Sequence, residues 1–341
     1  MSLMSKQQKA SHQSASGSGE DGAGSGRCGP DRNARSYIPG LDGIRALAVL
    51  AVIAYHLHPA WIPGGFLGVG VFFVLSGYLI TDLLISEWKR SGTLDLKQFW
   101  LRRFRRLLPA LFVMLACVTV WTALVRPAQF TSLQGDVLAA VTYMNNWRFI
   151  YHQVSYFESF GPQSPLTHLW SLAVEEQFYI VWPLLLFAGL RWMPRRGLLL
   201  GLTLAGAALS ACLMAWLYAP GYDPSRVYYG TDTRAFALLL GAALAILWPS
   251  GKLRLSAERP LRLPLEGVGI AGFAVVGVMM WLVNQYGDFL YMGGLVLLSA
   301  ATAAVIAAVV HPASRLGRLL AWQPLRWLGS APTASIYGTI R

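Results

Sequence analysis

An all-α bundle of membrane-spanning helices is the fold class this sequence predicts, and three observations carry that expectation. Of its 341 residues 55% are hydrophobic and only 13% charged, where globular chains carry about 25% charged residues, and the mean hydropathy is +0.46. From Tyr37 onward, apolar runs alternate with short basic loops. The basic residues fall in every second loop, as the positive-inside rule requires of a chain that crosses a bilayer repeatedly. This pattern excludes a disordered protein and argues against a soluble enzyme with a single core.

Taken in order, residues 1–36 are rich in Ser, Gly and charge and hold no apolar stretch. They read as a disordered cytoplasmic tail. Without the apolar core of a secretory signal, the first span must serve as the insertion signal. Eight segments are long enough, or nearly so, to cross a membrane: roughly 44–58, 66–86, 107–125, 172–189, 198–218, 233–248, 266–284 and 289–310. The first and sixth are short. The stretch 133–147 is amphipathic and is expected at an interface or folded back.

Of the 28 Lys and Arg residues, only Arg126, Arg148, Arg226 and Arg234 fall on the other side of this alternation from the tail. The expected topology is therefore multi-pass with a cytoplasmic N terminus. It also accounts for the net charge of +12 without a nucleic-acid role, which needs basic residues on one organised face. Cys28, Cys117 and Cys212 are isolated. They predict neither a disulfide framework nor a metal site, and Cys117 and Cys212 are expected to be small buried hydrophobes.

Polar groups inside spans are costly and usually functional. The first span reads LDGIRALAVLAVIAYHLHP. Its Arg45 and His56, eleven residues apart, return to one helix face about 16 Å apart along the axis. They could be a snorkelling Arg and an interfacial His, or a polar stripe in which Arg binds an anion and imidazole moves a proton. The second span, with Gly64, Gly65, Gly68, Gly70 and Gly77, is expected to pack closely on neighbours; Ser76 has no nucleophile-elbow setting. In FWLRRFRRLLPAL, Arg102, Arg103, Arg105 and Arg106 suit either lipid headgroups or the phosphates of a cytoplasmic donor, which guanidinium binds in bidentate fashion. In THLWSLAVEEQFYIVWPLL, Glu175 and Glu176 diverge by about 100°. At least one should face the bundle interior and pair with Arg or His, or stay protonated.

These four blocks, in this order and spacing over about 37–190, resemble the acyltransferase-3 family of integral-membrane O-acyltransferases. RAFALLLGAAL (234–244) is similar to the family's Arg-containing sixth helix. The resemblance implies a protein of the inner (plasma) membrane. Such a protein moves an acyl group, often acetyl, from cytoplasmic acetyl-CoA or another acyl-CoA to a hydroxyl of a cell-envelope glycan or small molecule, without a metal. It carries over Arg45 and His56 as the family's Arg–His pair, Arg103 and Arg106 as its paired arginines, and Glu176, with Glu175 beside it, as its acidic block. His56 would take the acceptor's proton or carry the acyl group, a carboxylate would orient or balance His56 or an Arg, and Arg45, Arg103 and Arg106 would hold the coenzyme's phosphates. After WQPLRWLG (322–329) the sequence departs from the family pattern, which continues with Ser, Tyr and His groups and two further spans. A frameshifted tail at 331–341 with two spans missing is the expectation there, and a truncated inactive homologue is one alternative. A proton-coupled permease is the other. No internal repeat supports it, since the polar residues crowd into the first 180 while the fifth, seventh and eighth spans are nearly featureless.

Overall fold

The computed structural model describes residues 37–157, 164–193, 195–250 and 262–330. The tail expected at 1–36 and the aberrant end expected at 331–341 lie outside the described residues. Every regular element among the described residues is helical, as the composition requires. In chain order these are α1 (Pro39–Leu57), α2 (Gly68–Ser91), α3 (Leu96–Val125), α4 (Phe130–Val141), α5 (Asn145–Tyr151), α6 (Trp170–Trp192) and α7 (Arg196–Leu217), then α8 (Ser225–Tyr229), α9 (Thr231–Leu247), α10 (Arg262–Leu282), α11 (Leu295–Val310), α12 (Arg315–Leu320) and α13 (Gln323–Ser330).

Local signals place the boundaries. Pro39 opens α1, where its missing N–H costs nothing. Gly92 closes α2 in the left-handed conformation, φ +70°, that favours glycine at a helix end. Asp95 then caps α3, its side chain accepting from the Gln98 N–H at 2.9 Å. That cap starts the third span at Leu96 rather than near 107. The four arginines therefore lie on a continuous helix, not on a turn before it.

Among the described residues, seven helices are long and apolar enough to cross a membrane: α1, α2, α3, α6, α7, α10 and α11 with its preceding turn. The sixth expected span is α9, whose 17 residues stand at the lower limit of a spanning helix. The amphipathic stretch becomes α4 and α5, two short helices joined by a turn through Tyr143.

Of the seven, α2 is the most enclosed and α3 the most exposed. α2 packs on α9, α1, α11 and α6. Glycine permits the closest of these approaches. A Cβ on Gly77 of α2 would overlap the Leu238 carbonyl of α9, and one on Gly241 of α9 would overlap the Val74 carbonyl of α2. Gly65 and Gly68 likewise meet the carbonyls of Ala51 and Ala48 on α1, so the expected packing role of these glycines holds. α3 instead turns Phe112, Val113, Val120, Trp121 and Leu124 outward, an apolar face suited to lipid. Cys117 of α3 and Cys212 of α7 share such outward faces and are exposed. This corrects the expectation of burial: hydrophobicity in a bilayer helix marks lipid contact as readily as core.

Candidate active site

Two groups of polar side chains stand out, one inside the helix bundle between α3 and α6 and the other at the exposed C-terminal end of α1. In the first, Arg103 and Arg106, three residues apart on α3, face the bundle partly buried, while Arg102 and Arg105 are exposed. The Arg103 Nε lies 3.0 Å from both carboxylate oxygens of Glu176, and its Nη2 lies 2.5 Å from Oε1. The guanidinium also stacks on the Tyr179 ring, 3.6 Å from its centroid. Glu176 is only 1% exposed, so its charge requires this partner. The neighbouring Glu175 diverges as adjacent helical residues must and accepts from the Ser76 hydroxyl at 2.8 Å. Ser76 thus serves as a donor to a carboxylate.

Arg45 does not take either glutamate. Its Nη1 is 2.8 Å from Asp42 Oδ1 on its own helix and 3.5 Å from the Gly329 carbonyl of α13. Asp42 also accepts from the Tyr37 hydroxyl. The buried glutamate expected to face the interior and pair with Arg or His is Glu176, and its partner is Arg103 of α3, while Asp42, three residues before Arg45, balances Arg45. Arg45 and Arg103 both lie close enough to Arg106 for their charges to bear on it. Arg106 has no hydrogen-bond partner among the described residues, which leaves it the freest cation of this group.

At the other end of α1, His56 is exposed. Its Nδ1 is 2.8 Å from the Val52 carbonyl one turn back. A carbonyl only accepts, so Nδ1 carries the hydrogen and Nε2 presents its lone pair. The Tyr156 hydroxyl lies 3.4 Å from that Nε2. Burial pushes the Tyr156 phenol well up, so it remains a protonated donor at neutral pH. Tyr156 belongs to a wall of rings with Tyr228, 4.8 Å between centroids, and Trp170, 5.9 Å away. Beside this wall Gln177 joins α5 to α9. Its amide nitrogen donates to the Tyr143 carbonyl at 2.7 Å and to Asn146 Oδ1 at 3.0 Å, and its oxygen accepts from the Thr231 hydroxyl at 2.6 Å.

The structure therefore brings Arg103, Arg106, Glu175 and Glu176 together and leaves His56 in a separate group beside Tyr156. Sequence reasoning missed Asp42, Tyr156 and Gln177. Asp42 was findable, since an acid three residues before an Arg shares its helix face; nothing local marks Tyr156. Among the described residues no three His, Cys, Asp or Glu side chains are placed to hold a metal.

An acyltransferase domain model of the acyltransferase-3 family matches residues 38–335. The chain belongs to the acyltransferase-3 family. It is 49% identical over 299 residues to the peptidoglycan O-acetyltransferase OatA of Listeria monocytogenes, covering 88% of this chain and 48% of that one. It is 42% identical over 293 residues to the O-acetyltransferase OatA of Staphylococcus aureus, covering 86% and 48%. The chain thus spans about half the length of these curated relatives. No solved structure matches it.

Proposed function

We propose that this chain is the membrane part of an O-acyltransferase that moves an acetyl group from acetyl-CoA to a hydroxyl of a peptidoglycan glycan. The observation that carries the reading is His56: an accessible imidazole whose Nδ1–H is held by a backbone carbonyl, so that Nε2 is the proton-accepting atom. The names of the relatives support acetyl as the group and peptidoglycan as the acceptor. In this reading Arg106, with Arg45 and Arg103 beside it, binds the donor's phosphates, and the Glu176 carboxylate holds Arg103 in place. The separation of Arg45 and His56 along α1, about 16 Å, suits the pantetheine arm that joins the donor's phosphates to its thioester. The acceptor oxygen attacks the thioester carbonyl as its proton passes to His56 Nε2, and the coenzyme leaves as its thiol. Incubation of membranes carrying the full chain with radiolabelled acetyl-CoA and peptidoglycan fragments tests this. Label should enter the glycan, and none should enter without the chain. Arg106→Lys should raise the apparent KM for acetyl-CoA, because lysine loses the bidentate fork. An unchanged KM would return Arg106 to membrane-surface charge.

The donor side is the cytoplasm and the membrane is the plasma membrane in this proposal, with the N terminus on the donor side. The alternation of basic loops supports that orientation. A cysteine placed at Gly92 should then react with an impermeant thiol reagent only from the cytoplasm, and one at Tyr151 only from outside. Labelling of both from one side would overturn the topology.

A further inference from the structure

Arg326 of α13 is a cation that the donor-binding group above does not use. It is half-buried, its Nε has no hydrogen-bond partner, and it takes part in none of the ion pairs among the described residues. Its guanidinium lies over the Tyr37 ring, 5.6 Å from the centroid. Asp42 does not balance it, because that carboxylate already accepts from the Tyr37 hydroxyl and from Arg45 at 2.8 Å. Close packing fixes this arrangement. A Cβ on Gly329, one turn further along α13, would overlap the Asp42 carbonyl of α1, and the Gly329 carbonyl lies 3.5 Å from Arg45 Nη1.

The groups follow one order along α1. His56 is at its C-terminal end, Arg45 is about 16 Å before it, Asp42 comes one turn earlier, and Tyr37 precedes the helix with Arg326 on its ring. An acyl-CoA is built in the same order: thioester, pantetheine arm, diphosphate, and last the ribose with its 3′-phosphate. A donor with its thioester at His56 and its diphosphate at Arg45 and Arg106 carries its 3′-phosphate past Arg45, towards the end of α1 where Arg326 stands. We infer that Arg326 binds the 3′-phosphate of the donor and makes the site select coenzyme A thioesters over thioesters that lack this phosphate. This rests on the acyl-transfer reading above and divides its phosphate contacts, leaving the diphosphate to Arg45 and Arg106. The chemistry fits the division. A phosphate monoester approaches two negative charges at neutral pH and presents three acceptor oxygens, and a guanidinium meets such a group with two N–H donors at once. A lipid headgroup phosphate shares part of that chemistry, but it would affect every donor alike.

The test uses the full chain in proteoliposomes, with acetyl-CoA and 3′-dephospho-acetyl-CoA as alternative donors and peptidoglycan fragments as acceptor. It reads KM and kcat for each donor and the thermal unfolding midpoint. The wild type should have a KM for the dephospho donor about tenfold or more above that for acetyl-CoA, the effect expected of a lost hydrogen bond between charged groups. R326Q should raise KM for acetyl-CoA by about as much and change KM for the dephospho donor by less than about twofold, with the effect in KM rather than kcat. The two donors then become equivalent. R326K should fall between, because lysine meets phosphate only as a point charge. An R326Q chain that still discriminates as the wild type does overturns the proposal. So does an equal rise in KM for both donors, which marks lipid headgroups or bracing of α13, and so does a wild type that takes both donors equally well. If R326Q does not fold, R326K decides. Reduced discrimination in a folded R326K supports the proposal; undiminished discrimination, or failure of both variants to fold, makes Arg326 a brace between α13 and α1 and overturns it. If the wild-type chain transfers nothing from either donor, the acyl-transfer reading fails and this inference falls with it. Wild-type transfer with an unchanged R326Q removes only the role of Arg326.

Discussion

Replacement of His56 by Ala should abolish acetyl transfer while leaving the amount and thermal stability of the protein in the membrane unchanged. The stability half follows from the surroundings. His56 is exposed, its Nδ1 bond runs to its own helix, and its one tertiary hydrogen bond, to Tyr156, is long at 3.4 Å. A hydrogen bond of this kind contributes about 0.5–1.5 kcal/mol at most, and α1 remains held by its packing on α2, α12 and α13. The activity half follows from the tautomer. With Nδ1–H committed to Val52, Nε2 is the accessible lone pair of the ring, and loss of a positioned base costs about 10²–10⁴-fold in rate. Radiolabelled acetyl transfer and a thermal unfolding curve on the same preparation measure both halves. Retained transfer at wild-type rates would make His56 an interfacial residue and remove the base from the mechanism. Loss of transfer together with loss of the folded protein would assign it to structure instead.

The helices were legible because hydropathy in a bilayer is a long-range average that few local details disturb, so all eight expected spans coincide with helices. Their boundaries were less so. The arginine-rich start of α3 reads as a loop by hydropathy, yet the Asp95 cap makes it helix. The facing of Arg103 and Arg106 was within reach, since residues three apart share a helix face. Which carboxylate meets which cation was not. That choice depends on α6 lying beside α3, a tertiary fact without a local signature, and on Asp42 claiming Arg45 first. Tyr156 was invisible for a related reason. Its segment carries no periodicity and little charge, and the residue matters only because packing carries it to the end of α1. Arg234 is an intermediate case: its position was noted in the similarity of 234–244 to a family helix, while its burial without an ion-pair partner among the described residues is a property of the packed bundle alone.

The two adjacent glutamates should respond oppositely to the same substitution. Glu176→Gln should destabilise the folded chain by about 3–5 kcal/mol, the usual cost of breaking one side of a buried ion pair. Glutamine keeps the shape of the side chain but not its charge. Arg103, which donates through Nε and Nη2 to both Glu176 oxygens, would be left as a largely buried cation on the Tyr179 ring, a contact that contributes about 2 kcal/mol when desolvated, less than the several kcal/mol that burying the charge costs. Glu175→Gln should cost about 1 kcal/mol or less. That side chain is half-buried, and its contact is the Ser76 hydroxyl at 2.8 Å, which an amide oxygen accepts equally well; a neutral hydrogen bond contributes about 0.5–1.5 kcal/mol net in any case. Thermal unfolding and membrane abundance of the two single variants measure the difference. Equal midpoints would show that the Arg103–Glu176 pair is not the buried clamp described above. A double variant, Arg103→Met with Glu176→Leu, separates structure from function. Removing both charges together restores packing without leaving either one unpaired, which is often neutral or stabilising. Stability should therefore return in the double variant. Transfer should not, because Arg106 would lose the cation that shares the donor's phosphates with it. Recovery of transfer along with stability would confine the pair to holding α3 against α6 and leave donor binding to Arg45 and Arg106.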